Sequence, residues 1–93
     1  MLTAIVHIDT EPQRIPEIAA QVAEIAGVRE VYSVTGGTDL IAMVQVREHE
    51  QLADVIADRL SKIAGVVRTQ TFIAFRAYSS RDLDAAFDLG LDG

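Results

Sequence analysis

The stretch VYSVTGGTDLIAMVQV, residues 31–46, decides how the rest of the chain is read. Two apolar runs rich in β-branched residues flank Thr-Gly-Gly-Thr-Asp, the pattern of two strands joined by a turn. A plain hairpin needs one residue that tolerates positive φ, and a single Gly or Asn-Gly supplies it. This turn has Gly36 and Gly37, followed by a carboxylate, Asp39, at the mouth of the second strand. A long flexible turn is one explanation, and Gly-rich hairpins are usually only turns. A cradle is the other. Backbone N–H groups freed by consecutive glycines form a nest for an anion, and Asp39 can face an ammonium group. A zwitterion offers both charges on one carbon.

Outward from the hairpin, the chain divides into two similar halves. The tetrad Ile-Ala-Gly-Val occurs at 25–28 and again at 63–66. Each copy closes a helix-period segment and opens a strand. Ile15, Ile18, Val22 and Ile25 recur at helical spacing in the first half; Leu52, Val55, Ile56, Leu60 and Ile63 do so in the second. Gly27 and Gly65 then stand where a left-handed helix terminus is wanted. TEPQ (10–13) reads as a capping box with Thr10 as N-cap, although Pro16 moves the regular helix towards residue 15. Strand patterns cover 2–9, 28–34, 39–46 and 66–78.

The order is β-α-β, hairpin, β-α-β, a ferredoxin-like split βαβ fold of the α+β class. Four antiparallel strands then carry two helices on one face. Leu2, Ala4, Val6 and Ile8 alternate with Thr3, Ile5, His7 and Asp9 in the first strand. Leu40, Ala42, Val44 and Val46 alternate with Ile41, Met43 and Gln45 in the third. A solvated sheet face is mostly polar, yet the second row carries Ile5, Ile41 and Met43. Phe72, Ile73 and Phe75 make the last strand apolar on both sides. A second copy of the chain is the simplest cover, with Ile5, His7, Ile41 and Met43 in the interface.

After Tyr78, residues 79–93 read as an acidic extension with a short helix. Leu83, Ala86 and Phe87 form its docking face, and Asp82, Asp84 and Asp88 its outer face. Residues 1–78 are the domain proper.

Composition narrows the function. The chain has 93 residues, 49% apolar and only 5% aromatic, so its core is aliphatic. Cysteine is absent, which excludes disulfides, thiol nucleophiles and Cys-based zinc sites. The net charge is −6 with a pI near 4.6, and the eight basic residues are scattered singly. Duplex DNA binding rests on Lys and Arg neutralising phosphates, so direct DNA binding is not expected. MLTAIVHIDT lacks the basic and long apolar regions of a signal peptide, and LIAMV is too short to span a membrane. A soluble, cytoplasmic protein with no membrane contact is expected.

Catalytic signatures are few. No serine lies in a G-x-S-x-G setting, and no phosphate-binding Gly loop is present. His49 sits among acids at a helix start, where capping explains it. His7, on the second sheet face, reads first as an interface histidine and second as a base in a pocket. No metal site is expected, since no ligand pair has the required spacing, and no cofactor is expected.

The order of elements, the VTGGTDLIAMVQV hairpin and the later GVVRTQTFIAF strand together resemble the RAM domain. This is the effector-sensing half of Lrp/AsnC-family (leucine-responsive regulator) transcription factors. The resemblance covers residues 1–78. The family's T-G-x-x-D turn falls on Thr35, Gly36 and Asp39, and its T-x-T strand on Thr69 and Thr71. It implies a non-enzymatic amino-acid sensor, with dimers built by facing sheets and assembled into rings such as octamers. It further implies amino-acid binding between dimers, at an effector site of Thr35, Gly36, Gly37, Thr38 and Asp39, with Thr69 and Thr71 contributing from the neighbouring dimer. Gly37 and Thr38 fall where the family varies. The acidic tail is similar to an extension of stand-alone members. Family regulators carry an N-terminal helix-turn-helix, whereas this chain opens on the first strand. The resemblance therefore implies a stand-alone member acting through protein contacts, with full-length Lrp/AsnC regulators as candidate partners. The alternative from another class is a small dimeric α+β-barrel enzyme, a monooxygenase or isomerase, using a sheet-face pocket at His7. Such an enzyme calls for an enclosed cavity beside His7; a sensor calls for a cleft at residues 36–39 on a subunit boundary.

Overall fold

The computed structural model describes residues 1–80. Its strands are β1 (Leu2–Thr10), β2 (Val28–Ser33), β3 (Leu40–Val46) and β4 (Val66–Ala74). They form one antiparallel sheet in the order β2-β3-β1-β4. Helix α1 (Ile15–Ala23) connects β1 to β2, and the segment from α2 (His49–Ala53) connects β3 to β4. This is the ferredoxin-like α+β fold. Among the described residues no helix is long and apolar enough to cross a membrane.

The alternation in β1 and β3 produces the core directly. Leu2, Ala4, Val6 and Ile8 pair with Val46, Val44, Ala42 and Leu40, and all but Leu2 are buried. Ile18 and Val22 from α1, with Leu52, Val55 and Leu60 from the second connection, close over them. Each fully buried aliphatic side chain contributes about 1.5–3 kcal/mol, so this aliphatic layer is the main source of stability.

The second connection departs from regular helix. After α2 it continues as a π-helical stretch, Asp54–Arg59, and a 3₁₀ turn, Leu60–Lys62. Val55 and Leu60 are both buried and lie five residues apart, the interval a π-turn closes. Both side chains belong to the core under the sheet.

Both Ile-Ala-Gly-Val tetrads form the same turn. Val28 N–H donates to the Ile25 carbonyl at 3.0 Å, and Val66 N–H to the Ile63 carbonyl at 3.1 Å. Gly27 and Gly65 adopt φ of +98° and +97°, as the third residue of such a turn requires.

Three details differ from the sequence reading. Thr10 does not cap a helix: it is the last residue of β1, and the short 3₁₀ turn Pro12–Arg14 precedes α1 without a side-chain cap. The capping box is instead Glu48 with Gln51, at the start of α2. β4 ends at Ala74, four residues short of the pattern, because its partner β1 runs out at Leu2, so that Thr3–Ala74 is the terminal pair. The expected helix on the acidic extension, with Leu83, Ala86 and Phe87, falls on residues 81–93, outside the described residues.

Candidate functional site

The face of the sheet away from the helices is ordered in rungs. Glu30, Met43, Ile5 and Phe72 form one cross-strand row; Tyr32, Ile41, His7 and Gln70 form the next. Asp9 and Arg68 make the last pair. Ile5, His7, Ile41 and Met43 are half-buried on this face, while Tyr32 and Phe72 are 47% and 45% exposed. The apolar row read from the sequence is therefore present, opposite the helices. His7 packs its ring 5.1 Å from that of Phe72, tilted by 60°. Tyr32 Oη donates to the Glu30 carboxylate, and that bond to an acceptor raises the phenol pKa above its ordinary value.

The β2–β3 connection, residues 34–39, rises at the end of this face. Val34 N–H donates to the Asp39 carbonyl at 3.2 Å and closes it. Gly36 has φ +123°, a backbone conformation that L-residues with a Cβ rarely adopt. Gly37 does not have positive φ, and a Cβ there would meet nothing within 4 Å. One glycine is thus needed for the path, and the other leaves open space.

β1 extends beyond its last β3 partner, since Ile8 pairs with Leu40 and nothing on β3 faces Asp9 or Thr10. The loop takes over the missing rungs. Asp39 N–H and Thr38 Oγ1 both donate to the Ile8 carbonyl, at 3.2 and 3.0 Å. Thr10 N–H donates to Asp39 Oδ2 at 2.9 Å. Asp39 therefore braces the end of β1, a role its position at the strand mouth did not suggest.

Loop and sheet face together enclose a half-open cleft of about 520 Å³. His7, Ile41 and Gln70 form its floor, Thr35, Gly37 and Thr38 its roof, and Asp9 and Arg68 its side. Arg68 grips Asp9 through one oxygen, with Nη2 at 2.9 Å and Nε at 3.0 Å from Oδ2. Of the residues expected at the site, Thr35, Gly37, Thr38 and Thr69 line this cleft; Gly36, Asp39 and Thr71 do not. Thr71 pairs with Val6, on the helix-side row of the edge strand. The sequence reading passed over Asp9, Arg68 and Gln70 as site residues. Asp9 already stood in the row of His7, and Arg68 and Gln70 alternate along β4, so the β1–β4 register is the signal that joins them. Among the described residues no group of three or more His, Cys, Asp or Glu side chains is placed to hold a metal ion.

Known proteins show the same architecture. A family model described as the Lrp/AsnC ligand binding domain matches residues 3–83. The chain belongs to this family. The HTH-type transcriptional regulator LrpA of Pyrococcus horikoshii is 36% identical over 67 residues, which are 72% of this chain and 48% of LrpA. The Lrp/AsnC domain described here thus spans about half the length of the curated relatives it matches. TTHA0845 from Thermus thermophilus, a solved structure, is 43% identical with a TM-score of 0.81, covering 85% of this chain and 99% of that one. The feast or famine regulatory protein from M. tuberculosis, solved in complex with L-methionine, is 30% identical with a TM-score of 0.71. That match covers 87% of this chain and 55% of the mycobacterial one. LrpA and the mycobacterial protein are regulators, which makes a regulatory role the coarse function of the family to which this domain belongs.

Proposed function

We propose that this domain senses an amino acid and couples its occupancy to self-assembly. The observation that carries the reading is the cleft itself, in which the turn after β2 and the open sheet face meet in one space of about 520 Å³. Thr35, Gly37 and Thr38 supply its roof, Gly36 sets the loop's path, and Asp39 holds the loop to β1. The mycobacterial relative's complex with L-methionine supports an amino acid as the effector class. The half-buried row of Ile5, His7, Ile41 and Met43 supports a homodimer built by facing sheets, whose second copy would lie over the cleft floor at His7 and Ile41, and the resemblance to the family implies further assembly of dimers into rings. Thr69 and Thr71 lie on the β4 edge, where a neighbouring dimer can reach them. A net charge of −6 argues against direct DNA binding, and the likeness to Lrp/AsnC regulators supports action through protein contacts, with full-length members as partners. The enzyme alternative at His7 called for an enclosed cavity; His7 instead floors a half-open cleft shared with the turn.

A thermal-shift screen of the twenty proteinogenic amino acids, followed by light scattering on any that stabilise, tests this reading. Stabilisation by at least one amino acid together with a changed distribution of oligomers is expected. No stabilisation by any of them at millimolar concentration overturns it.

A further inference from the structure

Resting on the amino-acid reading above, we infer that the Asp9–Arg68 pair is the charge clamp of the cleft, with Arg68 holding the α-carboxylate and Asp9 the α-ammonium. Both side chains stand at the cleft wall, beside the roof formed by Thr35, Gly37 and Thr38. Asp39, the acid that the turn motif suggests for the ammonium, commits Oδ2 to Thr10 N–H and is not among the lining residues. Asp9 is the carboxylate that lines the space.

The pair is arranged to receive a second pair of charges. Arg68 Nε and Nη2 converge on the single oxygen Oδ2 of Asp9, an end-on contact and not the parallel fork a guanidinium makes with two carboxylate oxygens. The contact does not use Arg68 Nη1 or Asp9 Oδ1. A zwitterion laid across the pair adds an anion beside the guanidinium and a cation beside the carboxylate, so each side chain keeps an opposite charge throughout. The Arg68 side chain is 76% exposed and that of Asp9 26%. Exposed ion pairs contribute little to stability, so the pair is free to adjust on binding. Its position on β1 and the β4 edge strand fixes the two charges on rigid elements, which the glycines of the turn do not provide.

Titration calorimetry with the amino acid that stabilises most in the screen, and with its methyl ester and N-acetyl derivative, tests the clamp. Arg68→Gln is expected to weaken the free amino acid by about tenfold or more, the scale of a lost charge-assisted contact, and to leave the methyl ester's affinity unchanged. Asp9→Asn is expected to weaken the free amino acid and leave the N-acetyl derivative unchanged. Where a derivative binds the wild type too weakly to measure, the loss seen with the free amino acid decides. Unliganded melting of both variants close to wild type is expected, given the exposure of the pair. If an amino acid binds wild type and Arg68→Gln equally, the clamp is overturned while the sensor reading stands. Equal weakening of the free acid and its ester by Arg68→Gln also overturns it, because the loss is then structural. If no amino acid binds the wild type, the sensor reading fails and the clamp with it.

Discussion

Thr10 N–H lies 2.9 Å from Asp39 Oδ2, so a side chain from the β2–β3 turn supplies the rung that β3 is too short to give β1. Thr10 is itself 6% exposed, and an unmet N–H at such a position costs more than an average lost hydrogen bond. Replacing Asp39 with Ala is therefore expected to lower stability by about 1–3 kcal/mol, whether or not a ligand is present. Asp39→Asn retains an acceptor oxygen and is expected to recover most of that loss. Chemical denaturation at fixed protein concentration measures both; a wild-type midpoint for Asp39→Ala would show the brace to be idle.

The two glycines of the turn are expected to respond unequally. Gly36→Ala forces a Cβ onto φ +123° at a cost of about 1–3 kcal/mol. Gly37→Ala meets open space and an ordinary φ, and is expected to stay within about 0.5 kcal/mol of wild type. Thermal melts of the two variants side by side separate a backbone requirement from a mere preference for small residues.

The turn between the second connection and β4 is tighter still. An added Cβ at Gly65 would stand 2.6 Å from Ile18 Cδ1, and Ile18 is fully buried on α1. Gly65→Ala combines positive φ with overpacking, each about 1–3 kcal/mol. At Gly27, the matching position of the other tetrad, the nearest contact is 3.1 Å. Gly65→Ala is expected to be the more destabilising of the two, and equal losses in urea titrations would mean that only the backbone matters.

Met43 pairs with Ile5 on the open face. If a second copy covers this row, Met43→Glu places a carboxylate in the interface and is expected to shift the protein to monomers or unfold it. Light scattering at micromolar concentration is the check. A wild-type chain that is monomeric and well folded there would refute the dimer.

Much of this architecture was readable because β1 and β3 alternate without interruption, which fixes both the core row and the apolar row behind it. The repeated tetrad likewise marked two turns that the structure forms identically. The cleft was harder to see. Its Asp9–Arg68 side depends on a pairing 59 residues apart in sequence, and β4 alone carries no mark of which residue faces β1. The role of Asp39 was hidden for a related reason: that β1 outruns β3 at Thr10 is a property of register, not of either strand's pattern. Thr10 itself resembled a helix cap because a hydroxyl before Glu-Pro-Gln is compatible with one, whereas at the start of α2 the cap is Glu48, one residue before the His49 to which the sequence reading gave that role.

The order of strands has a consequence for the birth of the chain. β1 is made first, yet its partners are β3 and β4; Thr10 is matched with Val66 and Ile8 with Leu40. At about 5–20 residues per second, synthesis brings Val66 into existence roughly 3–11 s after Thr10. Throughout that interval a nine-residue strand, apolar at Leu2, Ala4, Ile5, Val6 and Ile8, has one or both of its edges unpaired. Such a segment is a target for wrong pairing with another nascent copy until β3 and β4 have been made.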